Sequence, residues 1–492
     1  MNHQIHLRVT ATKKPFVLSY TDAEFCLTLG HTTRRIPLRQ VIAIRRDGRT
    51  VDLSYIGRKK NGDPMSLTKL AGIVEDTGEH LEDDVLDAWM ETLLHLSYEG
   101  TGVKRGRRLK VIINPHGGTK KGAAIFDKTV EPILRAAQCT LDIIHTTRGG
   151  HAYEIAKTTS LDYDAMVIVS GDGLIHEVLN GFAHHEQPIN ALRIPIAPIP
   201  TGTGNGLSLN ILGMADGFDV SAAALNAVKG LPMKVDVFSL TQNSKRTISF
   251  MSQGLGLIAD LDIGTEHMRW MGEARFTYGF LRGLIQFKPC PIQLSYKAVE
   301  FDKDKMYDTL QKRRETGKVR DATTHESPPG PGTDGTALPP LRYSSTDEEG
   351  WTTLDKPLLY LYAGKGPYVG RDFMAFPVSL PDDGLIDIVA QEVVSLSFAI
   401  FVSLTECPSH LEVRSFSPSA GANSSVIYFQ FKYIKAYAYR VKPLAPKGNF
   451  SVDGEVFPFE EFQVETHQGL ATLLSPHGYY AAEFARRSKP SA

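Results

Sequence analysis

The sequence predicts an α/β protein in which an α/β unit with a parallel sheet is followed by an antiparallel β-sandwich and preceded by a small β-rich unit. Three observations predict it. Short, almost wholly apolar strand patterns alternate with helix-patterned segments across residues 109–233, the mark of a parallel sheet covered on both faces. Several of those strands run straight into glycine-rich turns. After about Lys234 the texture changes to strands at short spacing with few helical stretches, as in an all-β layered unit.

Residues 1–100 open with the strand patterns IHLRV, FVLSY, FCLTL, IPLRQVIAI and VDLSYI, between Ile5 and Ile56. At Leu81–Leu96 the period becomes helical, with Leu81, Val85, Leu86, Trp89, Leu93 and Leu94 on one face. Strands closed by one amphipathic helix are similar in layout to a pleckstrin-homology-like domain, a layout that other small β-rich units share. The basic run at 101–108 reads as a linker. The α/β unit, 109–233, follows as LKVIINP, a helix over AAIFDKTVEPILRAA, the strand CTLDIIHT, a helix from HAYEIAKTT, and the strands of DAMVIVSGDG and LRIPIAPIP. The sandwich takes residues 234–300 and 351–480, with strands in VDVFSL, TISFMSQGLGL, CPIQLSY, PLLYLYAG, IDIVAQEV, VIYFQF and AYAYRV. Between them, 301–350 is charged and then rich in Pro, Gly, Ser and Thr, so most of it reads as a mobile insertion. Residues 481–492 read as a frayed tail.

A length of 492 residues with 42% hydrophobic content allows two to four domains. The net charge of -1 argues against a general nucleic-acid binder, although Arg34-Arg35, Arg45-Arg46 and Arg58-Lys59-Lys60 make the first sixty residues locally basic. Cys26, Cys139, Cys290 and Cys407 are too scattered for a metal knuckle or redox pair, which fits a reducing compartment. The amino terminus lacks a secretory pattern, and no stretch reaches about 18 uninterrupted apolar residues. The expectation is a cytoplasmic chain with peripheral, transient membrane contact; its oligomeric state is not set by the sequence.

Three loops carry the chemistry. Asn114-Pro115-His116-Gly117-Gly118 follows the first apolar strand, where glycines let backbone N–H groups converge on an anion. It lacks the Gly-Lys-Ser/Thr ending of a Walker A loop, and an ordinary strand-to-helix turn is the other reading. Ser170-Gly171-Asp172-Gly173 places a carboxylate at the end of a buried strand, in the ligand crevice of an α/β sheet. Asp172 reads as a catalytic group or as a helix N-cap. Gly202-Thr203-Gly204-Asn205-Gly206 lacks the third glycine of a dinucleotide fingerprint, since Leu207 occupies that place. It suits a nucleotide held by its phosphates.

With these loops in view, the sequence resembles the diacylglycerol-kinase-like catalytic superfamily and, within it, the sphingoid long-chain base kinases. The matching segments are NPHGG with Gly122, VSGDGLIHEVLNG, PTGTGNGLSLN, GLIADLDIGTEHMRWMGEARFTYG, PDDGLIDIV and SVDGEVFPFE. The resemblance implies an ATP- and Mg2+-dependent lipid kinase that phosphorylates the primary hydroxyl of a sphingoid base, with the nucleotide in the cleft between the two units. It implies Asp172 as general base, and Asn114, Gly117, Gly118, Thr146, Gly171, Gly173, Gly202, Thr203 and Gly204 around the nucleotide. Arg269 and Arg275 would meet phosphate oxygens, and Asp453 and Glu455 would organise Mg2+ and its waters. Asp262 would meet the substrate headgroup, with Asp260 as an accessory. Two departures stand out: Thr119-Lys120 where the family has Lys and Gly, and Gly149 where an arginine is often expected.

The chemistry is coherent. In phosphoryl transfer the attacking hydroxyl must lie in line with the leaving oxygen while cations hold the phosphate charge, and a carboxylate can accept the hydroxyl proton. Arginine forks suit phosphate oxygens, though Arg269 could equally be an exposed helix residue. Asp453-Gly454-Glu455 alone would read as a hairpin turn; with the three loops it reads as a source of Mg2+ ligands. A buried ammonium needs an anion beside apolar walls, and Asp260 and Asp262 would share one side of an extended segment, a polar loop or salt bridge being the alternative. The histidines, His176 among them, form no zinc spacing and read as surface or supporting residues. The competing functions are a diacylglycerol or ceramide kinase and a noncatalytic lipid-binding scaffold.

Overall fold

A computed structural model describes residues 4–9, 15–60, 62–75, 83–118, 120–265, 268, 278–279, 289–317, 335–344, 347–371, 373–392 and 431–481. The first unit has seven strands: β1 (Ile5–Val9), β2 (Pro15–Tyr20), β3 (Glu24–Leu29), β4 (Thr32–Pro37), β5 (Val41–Asp47), β6 (Thr50–Gly57) and β7 (Ser66–Val74). All pairings are antiparallel, in the order β4-β3-β2-β1-β7-β6-β5. Period-2 burial explains them, as with Ile5, Leu7 and Val9 in β1 or Val51, Leu53 and Tyr55 in β6. Helix α1 (Asp83–Ser97) turns Leu86, Trp89, Met90 and Leu93 onto the same core. The stretch IPLRQVIAI is not one strand: β4 ends at Pro37, a 3-10 turn spans Leu38–Gln40, and β5 begins at Val41. Strand β7 was not legible, because Thr68, Lys69 and Gly72 interrupt its apolar pattern.

The α/β unit contains β8 (Arg108–Ile113), α2 (Gly122–Ile125), a π turn (Phe126–Val130), α3 (Glu131–Ala136), β9 (Thr140–His145), α4 (His151–Lys157), β10 (Ala165–Ser170), α5 (Asp172–Ala183), α6 (Pro188–Leu192), β11 (Ile196–Pro200), α7 (Gly206–Leu212) and α8 (Val220–Lys229). Its parallel strands run β9-β8-β10-β11, buried between one core around Ile168, Ile175 and Phe182 and another around Val111, Val167 and Leu225. Strand order therefore reverses between β8 and β10, and the crevice beyond their carboxyl ends is where ligands sit in such sheets.

The antiparallel unit comprises β12 (Leu231–Gln242), β13 (Lys245–Ser249), β14 (Ser252–Gly256), α9 (Leu257–Gly264), β15 (Ile292–Glu300), α10 (Lys303–Gly317), β16 (Thr352–Leu354), β17 (Leu358–Gly364), β18 (Ile386–Glu392), β19 (Phe431–Pro443), β20 (Phe450–Val452), β21 (Glu455–Phe457) and β22 (Phe462–Ser475). Strand β22 pairs antiparallel with β12 and β19, and meets β11 in parallel at Leu473 and Ile196, so the two units share one hydrogen-bonded sheet. Phe238, Leu294, Ile388, Ile434 and Val464 centre its core.

Two expectations change here. Lys303–Gly317 is a helix rather than part of a mobile insertion. The Asp302 carboxylate accepts from the N–H groups of Asp304 and Lys305, and Met306 and Leu310 are buried. Residues 335–344 also pack on the body: Arg246 donates to the Pro339 carbonyl, and the Arg342 and Tyr343 amides donate to Glu465. Within the proposed insertion, 318–334, 345 and 346 lie outside the described residues, as do 482–492 and most of VIYFQF.

The 101–108 run is not a free linker either. Lys104 pairs with Asp164, Arg105 with Glu91 and Glu99, and the buried Arg107 donates to the carbonyls of Ala227 and Gly230. Ile42, Ile56, Tyr98 and Val103 enter the core of the α/β unit. The Tyr98 hydroxyl donates to the Ile42 carbonyl at 2.7 Å, and the buried Lys229 amine lies 3.0 Å above the Tyr98 ring and donates to the Ser97 carbonyl.

Candidate active site

The three loops interlock at the carboxyl ends of β8, β10 and β11. A Cβ on Gly202 would stand 2.4 Å from Gly171 Cα, and one on Gly171 would stand 2.7 Å from the Gly204 carbonyl oxygen. Only glycine permits that approach. The Asp172 N–H donates to the Gly204 carbonyl at 3.2 Å, the Thr201 N–H to Ser170, and Asn205 closes its own loop through the Gly202 N–H and carbonyl. Gly118 meets the same cluster, its Cβ position lying 2.6 Å from the Thr201 carbonyl oxygen. Asn114 accepts from the His116 N–H at 3.0 Å, shaping the first loop. The Thr146 hydroxyl is buried and turned toward the Ile113 carbonyl at 3.4 Å. Lys120, standing where the family has glycine, adopts a left-handed φ of 58°, a conformation that costs an L-residue about 1–2 kcal/mol.

Asp172 is the first residue of α5 and does not cap that helix; Gly171 holds the cap position. Its carboxylate instead accepts from the Gly206 N–H at 2.7 Å and the Leu207 N–H at 3.3 Å, at the start of α7. Burial pushes the carboxyl up to about 7, against the lowering effect of those two donors and with help from the negative charge of Asp453. A carboxylate fixed in this way at a strand end can hold or release a proton near neutral pH.

The turn between β20 and β21 brings the second set of carboxylates. Asp453 has φ 51° and a side chain that is 0% exposed. It accepts from His176 Nδ1 at 2.7 Å, the Ser249 hydroxyl, and the amides of Phe250, Met251 and Ser252. Five protein donors leave its two oxygens no open direction toward a cation. Glu455 is exposed, and its Oε1 lies 3.1 Å from the Cβ position of Gly173, so the glycine leaves room for it beside Asp172. Among the described residues, no group of three or more His, Cys, Asp or Glu side chains is placed to hold a metal ion.

Asp260 and Asp262 are not on an extended segment. They belong to helix α9, which follows Gly256 at φ 66°, and so point to different sides. Asp260 is exposed and accepts from Asn449 at 2.6 Å; the half-buried Asp262 accepts from the Ser451 hydroxyl at 2.9 Å. Ile258 and Leu261 bury in the core below. Arg269 and Arg275 lie outside the described residues. Thr203 and Gly204 remain at the loop rim, the former half-buried.

Sequence reasoning missed two participants, Asn180 and Tyr362, and placed His176 only among the surface or supporting histidines. His176 and Asn180 lie one and two turns beyond Asp172, and their spacing on α5 was the available signal. Tyr362 on β17 is buried, and that burial first, then the charges of Asp262, Asp453 and Asp172, push its hydroxyl upward against the lowering effect of its bond to Ser252; no local pattern marked it.

The fold and site define an α/β protein whose glycine-lined crevice, at the reversal of a parallel sheet, sets a buried near-neutral carboxylate beside an antiparallel unit. The sequence pattern of the diacylglycerol kinase catalytic domain matches residues 108–240. The chain is 31% identical to sphingoid long chain base kinase 4 of Schizosaccharomyces pombe over 90% of its own length and 88% of that protein's. It is 28% identical to sphingosine kinase 1 of Arabidopsis thaliana over 81% of both chains. The solved structure of a Bacillus anthracis str. Sterne protein, provisionally assigned as a diacylglycerol kinase, shares the fold with a TM-score of 0.50 at 18% identity, covering 76% of this chain and 97% of that one. The chain belongs to the sphingoid long-chain base kinase family.

Proposed function

We propose that the protein transfers the γ-phosphoryl group of ATP to the primary hydroxyl of a sphingoid long-chain base, with Asp172 as general base. The observation that carries the reading is the position of Asp172: buried, held by the start of α7, shifted to about 7, and set where the three glycine loops meet the β20–β21 turn. The names of the relatives support the sphingoid substrate. Asn114, Gly117, Gly118, Thr146, Gly171, Gly202, Thr203 and Gly204 shape the phosphate crevice, and Arg269 and Arg275 are proposed to meet phosphate oxygens.

The donor set fits a Mg2+ ion carried in with the nucleotide, since Mg2+ keeps several waters and takes few protein carboxylates. Glu455 is the residue that would hold it, and the ion would neutralise phosphate charge. Asp453 instead holds the turn. Asp262 is proposed to meet the substrate ammonium from the first turns beyond β14. The first unit's seven antiparallel strands closed by α1 support a pleckstrin-homology-like fold. The exposed Lys59 and Lys60 support peripheral contact with an anionic membrane from a cytoplasmic location.

Steady-state assays test the roles. Asp172→Asn should lower kcat by about 10²–10⁴-fold while ATP binding persists, and Asp262→Ala should impair sphinganine turnover far more than ATP binding. Full turnover in Asp172→Asn would remove the base; an ATP-binding loss equal to the sphinganine loss in Asp262→Ala would remove headgroup recognition.

A further inference from the structure

Asp172, His176 and Asn180 recur every fourth residue on α5 and form one polar stripe. Each end of the stripe reaches beyond it, although Asn180 Nδ2 also lies 3.3 Å from His176 Nε2. Asp172 meets the start of α7, while Asn180 exchanges two bonds with the backbone of Ile248 on β13, both at 2.8 Å. That pair of bonds already docks α5 on the antiparallel unit. The central residue does something different. His176 Nδ1 meets Asp453 Oδ2 at 2.7 Å, its ring packs edge-on against Phe457 at 6.4 Å, and its side chain is nearly enclosed.

Asp453 begins the turn whose next carboxylate is Glu455. Its own N–H donates to the Ser252 carbonyl at 2.7 Å, and its side chain gathers the β13–β14 amides. His176 therefore joins the helix that carries Asp172 to the turn that carries Glu455. We propose that His176 is a positioning residue for phosphoryl transfer, setting the Glu455 carboxylate against Gly173 and Asp172 through its bond to Asp453. The proposal rests on the reading of Asp172 and Glu455 given above. His176 touches neither nucleotide nor lipid in this role. Loss of its bond leaves α5 docked through Asn180 but frees the turn, and displacements near 1 Å at a reacting centre can cost ~10²-fold.

The imidazole Nδ1 and an asparagine Nδ2 occupy equivalent places on their side chains, so His176→Asn keeps a donor for Asp453 whereas His176→Leu removes it at similar bulk. The experiment uses the full chain with Mg-ATP and sphinganine, measuring kcat, both KM values and thermal melting for wild type, His176→Leu, His176→Asn, Glu455→Ala and the His176→Leu/Glu455→Ala double variant. If the wild type forms no phosphorylated sphinganine, the functional reading fails rather than the positioning role. With an active wild type, His176→Leu should lower kcat about 10–100-fold with both KM values within about twofold, His176→Asn should restore most of it, and His176→Leu should add little in the Glu455→Ala background. Unchanged kcat in His176→Leu, an equal loss in His176→Asn, or a full additional loss in the Glu455→Ala background would each overturn the proposal. Should His176→Leu melt below the assay temperature, His176→Gln, which displaces the donor by one methylene, is measured in its place against the same criteria.

Discussion

Asp172 shows how much one residue's setting decides. A carboxyl whose folded-state value is about 7, above the ordinary 3.8, binds its proton more tightly in the folded chain. Its contribution to stability is therefore fully present below about pH 4 and is lost as pH rises through 7. Activity runs the other way, since the base works deprotonated. The kcat/KM profile of the wild type should rise through a limb near pH 7, and Asp172→Asn should abolish that limb while flattening the fall in melting temperature between about pH 4 and 7. A limb near pH 4 would mean that the carboxylate works in an ordinary solvated environment. Gly171-Asp172-Gly173 was legible in sequence because the glycines flank the carboxylate. The commitment of Asp453 was not, because its donors come from residues about two hundred positions away.

At the scale of elements, patterns with one periodicity were read well and mixed ones were not. The parallel strands β8, β10 and β11 are mostly apolar runs, with Lys110 interrupting β8, and stand where the sequence put them. The segment IADLDIG alternates apolar and acidic residues like a strand, yet Gly256 turns the chain and Ile258 and Leu261 pack as helix neighbours. Short apolar runs of this kind do not separate helix from strand by period alone. Helix α10 hid in a charged segment whose fully buried core anchors, Met306 and Leu310, are spaced one turn apart, with Tyr307 packing partly buried beside them. The glycine loops give the sharpest test of element packing. Gly202→Ala places a methyl group against Gly171 backbone that cannot yield as a side chain would. We expect a loss of roughly 3 kcal/mol or more in stability, read by denaturant unfolding, together with loss of ATP binding; a variant of wild-type stability would mean that the loops do not interlock as described.

Across the whole molecule, the units are joined more tightly than the sequence boundaries suggested. Tyr98, Lys229 and Arg107 sit in a buried junction, and Arg58 reaches Asp216 of the α/β unit. Several residues of the basic clusters are likewise engaged within the chain: Arg34 with the Arg58 carbonyl and the Tyr55 ring, Arg45 with the Ala136 carbonyl, and Arg46 with Asp83 and Asp87. Charge runs in the sequence carry no mark of these partners. Tyr98→Ala should therefore cost about 3–5 kcal/mol, the usual loss for a large buried aromatic, and should lower the melting temperature of the whole chain in one transition. Independent melting of an intact α/β unit would show the first unit to be separable. Among the described residues no helix is long and apolar enough to cross a membrane.

The central claim is that this architecture phosphorylates a lipid that carries an amine. Full-length protein given Mg-ATP and equal accessible concentrations of sphinganine, ceramide and diacylglycerol, with the products identified by mass, tests it most directly. Sphinganine 1-phosphate is expected as the dominant product, formed with matching ATP consumption. Preferential phosphorylation of ceramide or diacylglycerol, or lipid binding without any turnover, would contradict it.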